Sequence, residues 1–126
     1  MKLAFIVGVG SFFGGMLRYL LSTVIQQKAD SHFPFGTLLV NLVGCFVIGC
    51  LVELAAKWNL STPWRLFLAT GILGGFTTFS AFAAESSNLI KTGHTTLALA
   101  YILASIVLGI CFALLGGWLF RFETGI

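Results

Sequence analysis

Charged residues divide the chain into long apolar segments. A bilayer core about 30 Å thick is crossed by roughly 20 helical residues, and at this chain length only helices satisfy every backbone hydrogen bond in lipid. The segments without Asp, Glu, Lys or Arg are 3–17, 31–52, 66–84 and 92–120. We therefore predict an all-α membrane protein with one transmembrane domain over residues 1–126. Its four transmembrane helices are predicted near 3–26, 35–57, 64–90 and 95–120.

Short polar stretches separate these predicted helices. Lys28-Ala-Asp30-Ser31-His32 precedes Pro34, and Thr92-Gly93-His94 precedes the fourth helix. Between them, Asn59-Leu-Ser61-Thr62-Pro63 supplies a Ser or Thr N-cap and a Pro for the first helical position. We interpret His32 and His94 as solvated loop residues rather than ligands.

The composition supports a lipid environment and excludes several functions. Hydrophobic residues make up 58% of the chain and charged residues 9%, against about 25% charged in typical soluble domains. Seven scattered Lys and Arg residues form no basic run, so we predict no nucleic-acid binding. Four acidic and two His residues offer no catalytic or metal-ligand cluster, so we predict no enzyme. The cysteines lack a C-x-x-C spacing and are interpreted as packing residues; they are Cys45, Cys50 and Cys111.

Positive charge is almost evenly divided between the two sides of the membrane. The side of both termini has four basic residues, and the opposite side has two, or three with Arg18. This bias is weak under the positive-inside rule, so the chain is expected to insert in both orientations. Copies can then pair as an antiparallel, dual-topology homodimer. The basic residues compared are Lys2, Lys57, Arg65 and Arg121 against Lys28 and Lys91.

Small and polar residues recur along one face of three predicted helices. Such a stripe has two interpretations, which are close helix packing and a narrow polar path. Packing explains the glycines, whereas the polar groups of Asn41, Tyr101 and Ser105 require partners. The stripes are Gly8, Ser11, Gly15, Arg18 and Ser22; Thr37, Asn41, Cys45, Gly49 and Glu53; and Tyr101, Ser105, Gly109, Ala113 and Gly117.

The third predicted helix contains unfavourable residues near its middle. Each Gly costs a helix about 1 kcal/mol relative to Ala, and Gly74-Gly75 is followed by β-branched Thr77-Thr78. We predict a broken helix in which the Gly74–Thr78 segment unwinds and exposes carbonyls to a hard cation. The alternative is a continuous helix whose glycines permit a close crossing.

Over essentially its whole length, the sequence resembles the Fluc (CrcB) family of bacterial fluoride channels. The resemblance rests on Gly14-Gly15-Met-Leu-Arg18-Tyr19, on Gly36-Thr37-Leu-Leu-Val-Asn41-Leu-Val-Gly44-Cys45, and on Gly74-Gly75-Phe76-Thr77-Thr78-Phe79-Ser80-Ala81-Phe82, followed by Tyr101 and Ser105. It implies a multi-pass protein of the bacterial inner membrane that lets fluoride leave the cell passively. It also implies an antiparallel homodimer with two pores.

The resemblance further assigns residues to these functions. It implies a structural Na⁺ at the dimer centre, bound by the backbone carbonyls of Gly74 and Thr77. The implied pore residues are Asn41, Phe79, Phe82, Tyr101 and Ser105, with Thr37, Ser80 and Glu85 near the narrow polar path. Gly109 departs from the family, which often has Ser or Thr at that position.

The chemistry of these side chains suits a small, strongly hydrated anion. Burying a carboxylate-sized ion has an idealised cost of order 20 kcal/mol, so a pore must replace water with short-range donors. Asn41 offers amide N–H groups, Ser105 and Tyr101 offer hydroxyls, and Phe79 and Phe82 offer positive ring edges. Arg18, toward one end of its helix, is expected to attract anions to a vestibule.

Two other functions remain as alternatives at this stage. A small four-helix, proton-coupled multidrug-type exporter needs a membrane carboxylate, by family resemblance one in its first helix, and the first helix here has none. A noncatalytic assembly subunit requires only the packing stripes. Ion flux through purified protein separates the three functions.

Overall fold

The computed structural model describes residues 1–122 as four long helices joined by short turns, with no strand in that range. Each helix is long and apolar enough to cross a membrane, which confirms the predicted all-α architecture. The first helix ends at Ala29, about three residues later than predicted. The helices are α1 (Lys2–Ala29), α2 (Phe35–Lys57), α3 (Thr62–Lys91) and α4 (Thr95–Phe122).

Helix α3 is composite. It begins as an α-helix over Thr62–Arg65, widens to a π-helix over Leu66–Leu73 and returns to α-helix over Gly74–Phe76. A further α-helix covers Phe79–Lys91. We call the residues up to Phe76 the first segment of α3 and Phe79–Lys91 its second segment.

The turn between α1 and α2 is held by one side chain. Asp30 ends α1 in the left-handed conformation, with φ 42°. The Gln26 amide group donates to the carbonyls of Ser31 (2.8 Å) and Phe33 (3.1 Å), and its oxygen accepts from the Gly36 N–H (3.1 Å). This turn is therefore tied to the last helical turn of α1.

The first segment of α3 packs against α1 with their backbones in close contact. A methyl group added at Gly14 would overlap the Ile72 backbone, and one added at Gly75 would overlap the Ser11 backbone. The Ser11 hydroxyl also donates to the Gly71 carbonyl at 3.3 Å. Small residues at such crossings allow the van der Waals contact that holds helices together in lipid.

Helices α2 and α4 pack side by side in parallel, and their predicted stripes face each other. Gly109 lies against Cys45, since a Cβ added to this glycine would be 3.4 Å from the Cys45 sulfur, and Gly49 lies against the Ala113 backbone. The contacting positions differ by a constant 64 residues, which requires parallel helices. For this half of the two stripes, the packing interpretation is correct.

Most large apolar side chains are exposed on the outside of the bundle. Examples are Phe12, Leu103 and Leu114, which are 64%, 62% and 68% exposed. The buried cluster lies where α2, α4 and the second segment of α3 meet, and it consists of Leu38, Leu42, Leu89, Ala98 and Tyr101. An apolar exterior around a small core is the arrangement expected when lipid is the solvent.

Candidate functional site

Two extended residues separate the segments of α3. Thr77 has φ −86° and ψ 154°, and Thr78 has φ −147° and ψ 121°. Gly74 keeps helical angles of −63° and −37°, and Gly74–Phe76 is helical. The prediction that all of Gly74–Thr78 unwinds is therefore wrong for its first three residues. The β-branched threonines, which fit extended backbone well, are the residues that leave the helix.

Asn41 of α2 binds both backbone groups of Thr78. Its amide oxygen accepts from the Thr78 N–H at 2.8 Å, and its amide nitrogen donates to the Thr78 carbonyl at 3.1 Å. The Thr78 hydroxyl accepts from the Ala81 N–H at 3.2 Å and so caps the second segment. The Asn41 amide, which was assigned to the pore from the sequence, thus uses its oxygen and one N–H to hold the extended backbone. Its second N–H remains for another acceptor.

Two carbonyl oxygens beside the extended residues lose their helical donors. The Thr78 N–H, which would bind the Gly74 carbonyl in a continuous helix, binds Asn41 instead. The Ala81 N–H, which would bind the Thr77 carbonyl, binds the Thr78 side chain. Gly74 and Thr77 both line an open cleft of about 400 Å³. These neutral oxygens have the chemistry that hard cations prefer.

The neighbouring carbonyl, that of Gly75, has a different partner. It accepts a hydrogen bond from the Arg18 Nε at 3.2 Å, so the half-buried guanidinium of Arg18 lies against the first segment of α3. The vestibule function expected for Arg18 stays a prediction, and the contact with Gly75 was not visible in the sequence.

Glu85 connects α2 and α4 at the polar end of the site. Its Oε1 accepts from the Thr37 hydroxyl at 2.7 Å, and its Oε2 accepts from the Tyr101 hydroxyl at 2.8 Å. Tyr101 is fully buried. Thr37 and Glu85 also line a second cleft of about 590 Å³, at the α1–α2 turn, which His32 lines as well.

Aromatic rings join this polar end to the first cleft. The Phe82 ring lies 5.2 Å from the Tyr101 ring and 5.5 Å from the Phe79 ring, measured between centroids. Phe82 and Phe79 line the first cleft, and Phe79 is 78% exposed. The two rings thus share a face, as predicted from their spacing. Side chains from Thr37 and Glu85 through Tyr101 to Phe82 and Phe79 form a continuous series between the two clefts. We call this series, together with Asn41 and Ser105 of the first cleft, the polar track.

Ser105 has a buried hydroxyl that finds no hydrogen-bond partner among the described residues 1–122. It lines the first cleft together with Asn41, Phe79 and Phe82. A buried hydroxyl without a partner costs about 1–3 kcal/mol, so the position is destabilising unless something else binds it. One turn further along α4, Gly109 offers no side-chain donor, and the hydroxyls of the polar track end at Ser105.

The remaining predicted site residue lies at the edge of this arrangement. Ser80 is exposed, and its hydroxyl is 3.4 Å from the Thr78 hydroxyl. The structure therefore brings Asn41 and Ser105 to the first cleft and Thr37 and Glu85 to the second. Tyr101 is buried against Glu85 and Phe82, and Ser80 lies near the cap of the second segment. Sequence reasoning missed the cap function of Thr78, although a Thr three residues before Ala81, at the start of a polar helical segment, is a recognisable N-cap signal.

Four apolar helices carry a polar track that lies beside the two extended residues of α3. This arrangement defines a multi-pass membrane protein of the channel and transporter class. The model of one family, described as CrcB-like protein, Camphor Resistance (CrcB), matches residues 5–117. The chain belongs to this family.

Its relatives are bacterial proteins named Fluoride-specific ion channel FluC. The protein of Agrobacterium fabrum is 48% identical over 83% of this chain and 85% of its own length. The protein of Aquifex aeolicus is 46% identical over 92% and 94%, and that of Phocaeicola vulgatus is 40% identical over 94% and 98%. These relatives confirm the resemblance noted from the motifs. A family of ion channels is not a family of enzymes, and the chain is a multi-pass bacterial membrane protein that is not an enzyme.

Proposed function

We propose that this protein is a fluoride channel through which fluoride leaves the cell passively, down its electrochemical gradient. The observation that carries the proposal is the unpartnered Ser105 hydroxyl, which is buried in a cleft beside two phenylalanine rings and the Asn41 amide. The names of the relatives support fluoride as the ion.

Hydrogen-bond donors along the track would replace the water that fluoride loses. The Ser105 hydroxyl and the second amide N–H of Asn41 are available in the first cleft. The Tyr101 hydroxyl becomes available when it stops donating to the Glu85 carboxylate and donates to the ion instead. Each donor is a neutral dipole, so none of these side chains adds a positive charge that would retain the ion. Conduction requires binding of this limited strength.

Phe79 and Phe82 would supply the lining between these donors. A ring edge carries partial positive charge, and the two rings lie side by side at 5.5 Å. Replacing either Phe with Ile keeps apolar bulk and removes the ring edge. We expect a large loss of fluoride flux from each substitution without loss of folded protein, and wild-type flux in both variants would contradict an aromatic lining.

The function is proposed to require two copies of the chain, paired antiparallel in the membrane with two pores. In a single chain, the cleft is open on one side and Phe79 is largely exposed, which supports a partner surface at this face. Gly74 also supports a partner surface. It is helical and exposed, and an added Cβ would meet nothing closer than the Ala69 carbonyl at 3.8 Å. No contact among residues 1–122 thus explains a glycine there.

A structural Na⁺ is proposed to bind between the two copies. The carbonyls of Gly74 and Thr77 fit such an ion, since both lack helical donors and both line the open cleft. Two such carbonyls from each copy would give four neutral oxygens, a set that favours a monovalent ion over Ca²⁺. The ion supplies positive charge that links the copies, while Asn41 and Thr78 keep the carbonyls out of helical hydrogen bonds.

The channel function is tested with purified protein in liposomes loaded with potassium fluoride. Efflux is started with a potassium ionophore and followed with a fluoride electrode. We expect rapid efflux that persists when the proton gradient is collapsed, and much slower efflux of chloride. Silence in this assay would contradict the channel, and proton-coupled export of an organic cation would favour the exporter.

The pairing and the cation require separate measurements. Cysteines engineered at the termini should be labelled from both sides of the membrane in cells, and labelling from one side alone would contradict dual topology. Rigorous depletion of Na⁺ should weaken the dimer or stop flux without changing the preference among anions. Unhindered flux after depletion would count against the cation.

A further inference from the structure

The fold brings the two histidines of the chain together. His32 comes from the α1–α2 turn and His94 from the turn before α4, yet their ring centroids are 4.7 Å apart and their planes differ by 25°. From the sequence they were interpreted as solvated loop residues, because both fall in predicted polar connections. Neither His belongs to the polar track, although His32 lines the cleft that leads to Glu85.

The Thr92 hydroxyl contacts one ring nitrogen of His94. Its oxygen lies 3.1 Å from His94 Nδ1, 2.8 Å from the Asn88 carbonyl and 3.4 Å from the Leu89 carbonyl. A hydroxyl has a single proton to donate, so when that proton goes to a carbonyl, the Thr92 oxygen accepts from the Nδ1–H of His94. The Nε2 of neutral His94 then has a free lone pair, in the arrangement typical of metal-bound histidines, whose other nitrogen donates to a protein oxygen.

The turn that carries His94 is firmly held. Gly93 has φ 85°, the His94 N–H donates to the Leu89 carbonyl at 2.7 Å, and the His94 carbonyl accepts from the Ala98 N–H at 3.0 Å. This backbone keeps the imidazole at the end of α3 in a fixed position. His32 is exposed and is free to adjust its ring to a ligand.

The spacing of the rings fits a shared metal ion. With Zn–N distances of 2.0–2.1 Å and a tetrahedral angle, two imidazoles on one Zn²⁺ have centroids about 5 Å apart. The observed rings are nearly parallel, with planes 25° apart and centroids 4.7 Å apart, so the exposed His32 ring must turn before a nitrogen of each ring faces one ion. Within residues 1–122, no third His, Cys, Asp or Glu groups with the pair, so water would complete the coordination.

We propose that His32 and His94 form a binding site for one divalent transition-metal ion of the Zn²⁺ type, which links the α1–α2 turn to the start of α4. Imidazole suits Zn²⁺ and Cu²⁺, and two ligands with water make an open, exchangeable site. The site does not depend on the fluoride channel function or on pairing of two chains.

The test is calorimetric titration of Zn²⁺ into the purified full-length protein after removal of any affinity tag. We expect one ion per chain, at least tenfold weaker binding in His32→Gln and in His94→Gln, and its loss in the double variant. Thr92→Val keeps both ligands and removes the acceptor that orients His94, so it should weaken binding about tenfold. Circular dichroism and gel filtration verify that each variant is folded.

Two results would overturn the site. One is undiminished Zn²⁺ binding in the folded double variant, which would place the ion at the cysteines or elsewhere. The other is no Zn²⁺ binding by the wild type. Electron paramagnetic resonance of bound Cu²⁺ counts the nitrogen ligands. An ion bound by both histidines shows two nitrogens, and a single nitrogen would contradict a link between the turns.

Discussion

The two segments of α3 belong to one membrane span but are held by different forces. The first segment contacts α1 through small residues, where Gly14 and Gly75 let the backbones touch. The second segment contacts α2 and α4 through polar side chains, where Glu85 binds Thr37 and Tyr101. The first segment is thus held by close packing, and the second segment is held by side-chain hydrogen bonds.

The difference arises at the two extended threonines. Backbone that leaves a helix in lipid must find other partners, and Asn41 supplies two of them to Thr78. The helix therefore ends at these threonines, and the segment on each side packs against different helices. The contrast predicts that substitutions in the first segment act on stability, whereas substitutions of the second-segment residues that line the clefts act on flux.

The largest effect is expected where the two segments meet. Asn41→Ala leaves the Thr78 N–H and carbonyl unpaired at membrane depth, which costs about 3 kcal/mol or more. We expect both the unfolding temperature and fluoride efflux to fall steeply. Asn41→Asp keeps the acceptor for the Thr78 N–H and loses the donor, so it should lie between Ala and wild type in stability. An unchanged unfolding temperature in Asn41→Ala would show that Asn41 acts on the ion alone.

The contact between α1 and the first segment is tested by two adjacent glycines. A methyl group at Gly14 overlaps the Ile72 backbone, whereas one at Gly15 meets nothing within 4 Å. Gly14→Ala should therefore lose about 2 kcal/mol through overpacking, and Gly15→Ala should be neutral or stabilised because Ala favours helix. Thermal unfolding of the purified variants measures this difference. Equal behaviour of the two variants would contradict the close crossing.

The sequence predicted the fold well because charge placement alone marks helices in lipid. The gaps between charged residues located all four spans, since a charge inside the bilayer is costly. The motif around Phe79 and Phe82 likewise identified the aromatic pair, because a spacing of three residues places both rings on one helix face.

Contacts between distant residues could not be predicted in the same way. Asn41 was expected to face an ion, and its pairing with Thr78 depends on how α2 is rotated against α3, which no local pattern records. The unwound segment was also predicted too long, since glycine propensity added Gly74-Gly75 to the two threonines, whereas the structure keeps both glycines helical and extends only Thr77 and Thr78.

A smaller effect is expected at Glu85. Tyr101→Phe keeps the buried ring and removes the donor to Glu85 Oε2, and loss of a hydrogen bond to a charged group costs about 2 kcal/mol. We expect fluoride efflux to fall about tenfold, with a lower unfolding temperature. Tyr19→Phe is the matched control, because Tyr19 is 66% exposed on α1 and should change neither quantity. Wild-type efflux in Tyr101→Phe would remove its hydroxyl from the polar track.

The smallest effect on stability, and the clearest separation of stability from flux, is expected at Ser105. Its hydroxyl is buried and has no hydrogen-bond partner in the described part of the chain, so Ser105→Ala removes no hydrogen bond seen there and should leave the unfolding temperature unchanged or slightly higher. If fluoride accepts a hydrogen bond from this hydroxyl during passage, efflux should nevertheless fall at least tenfold, since a bond to a charged partner contributes about 1.5–3 kcal/mol. Ser86→Ala provides the opposite case. That hydroxyl donates to the Phe82 carbonyl at 2.7 Å, so its loss should lower stability slightly and leave efflux near wild type. A destabilised Ser105→Ala with normal efflux would show that the hydroxyl stabilises the bundle and has no function in conduction.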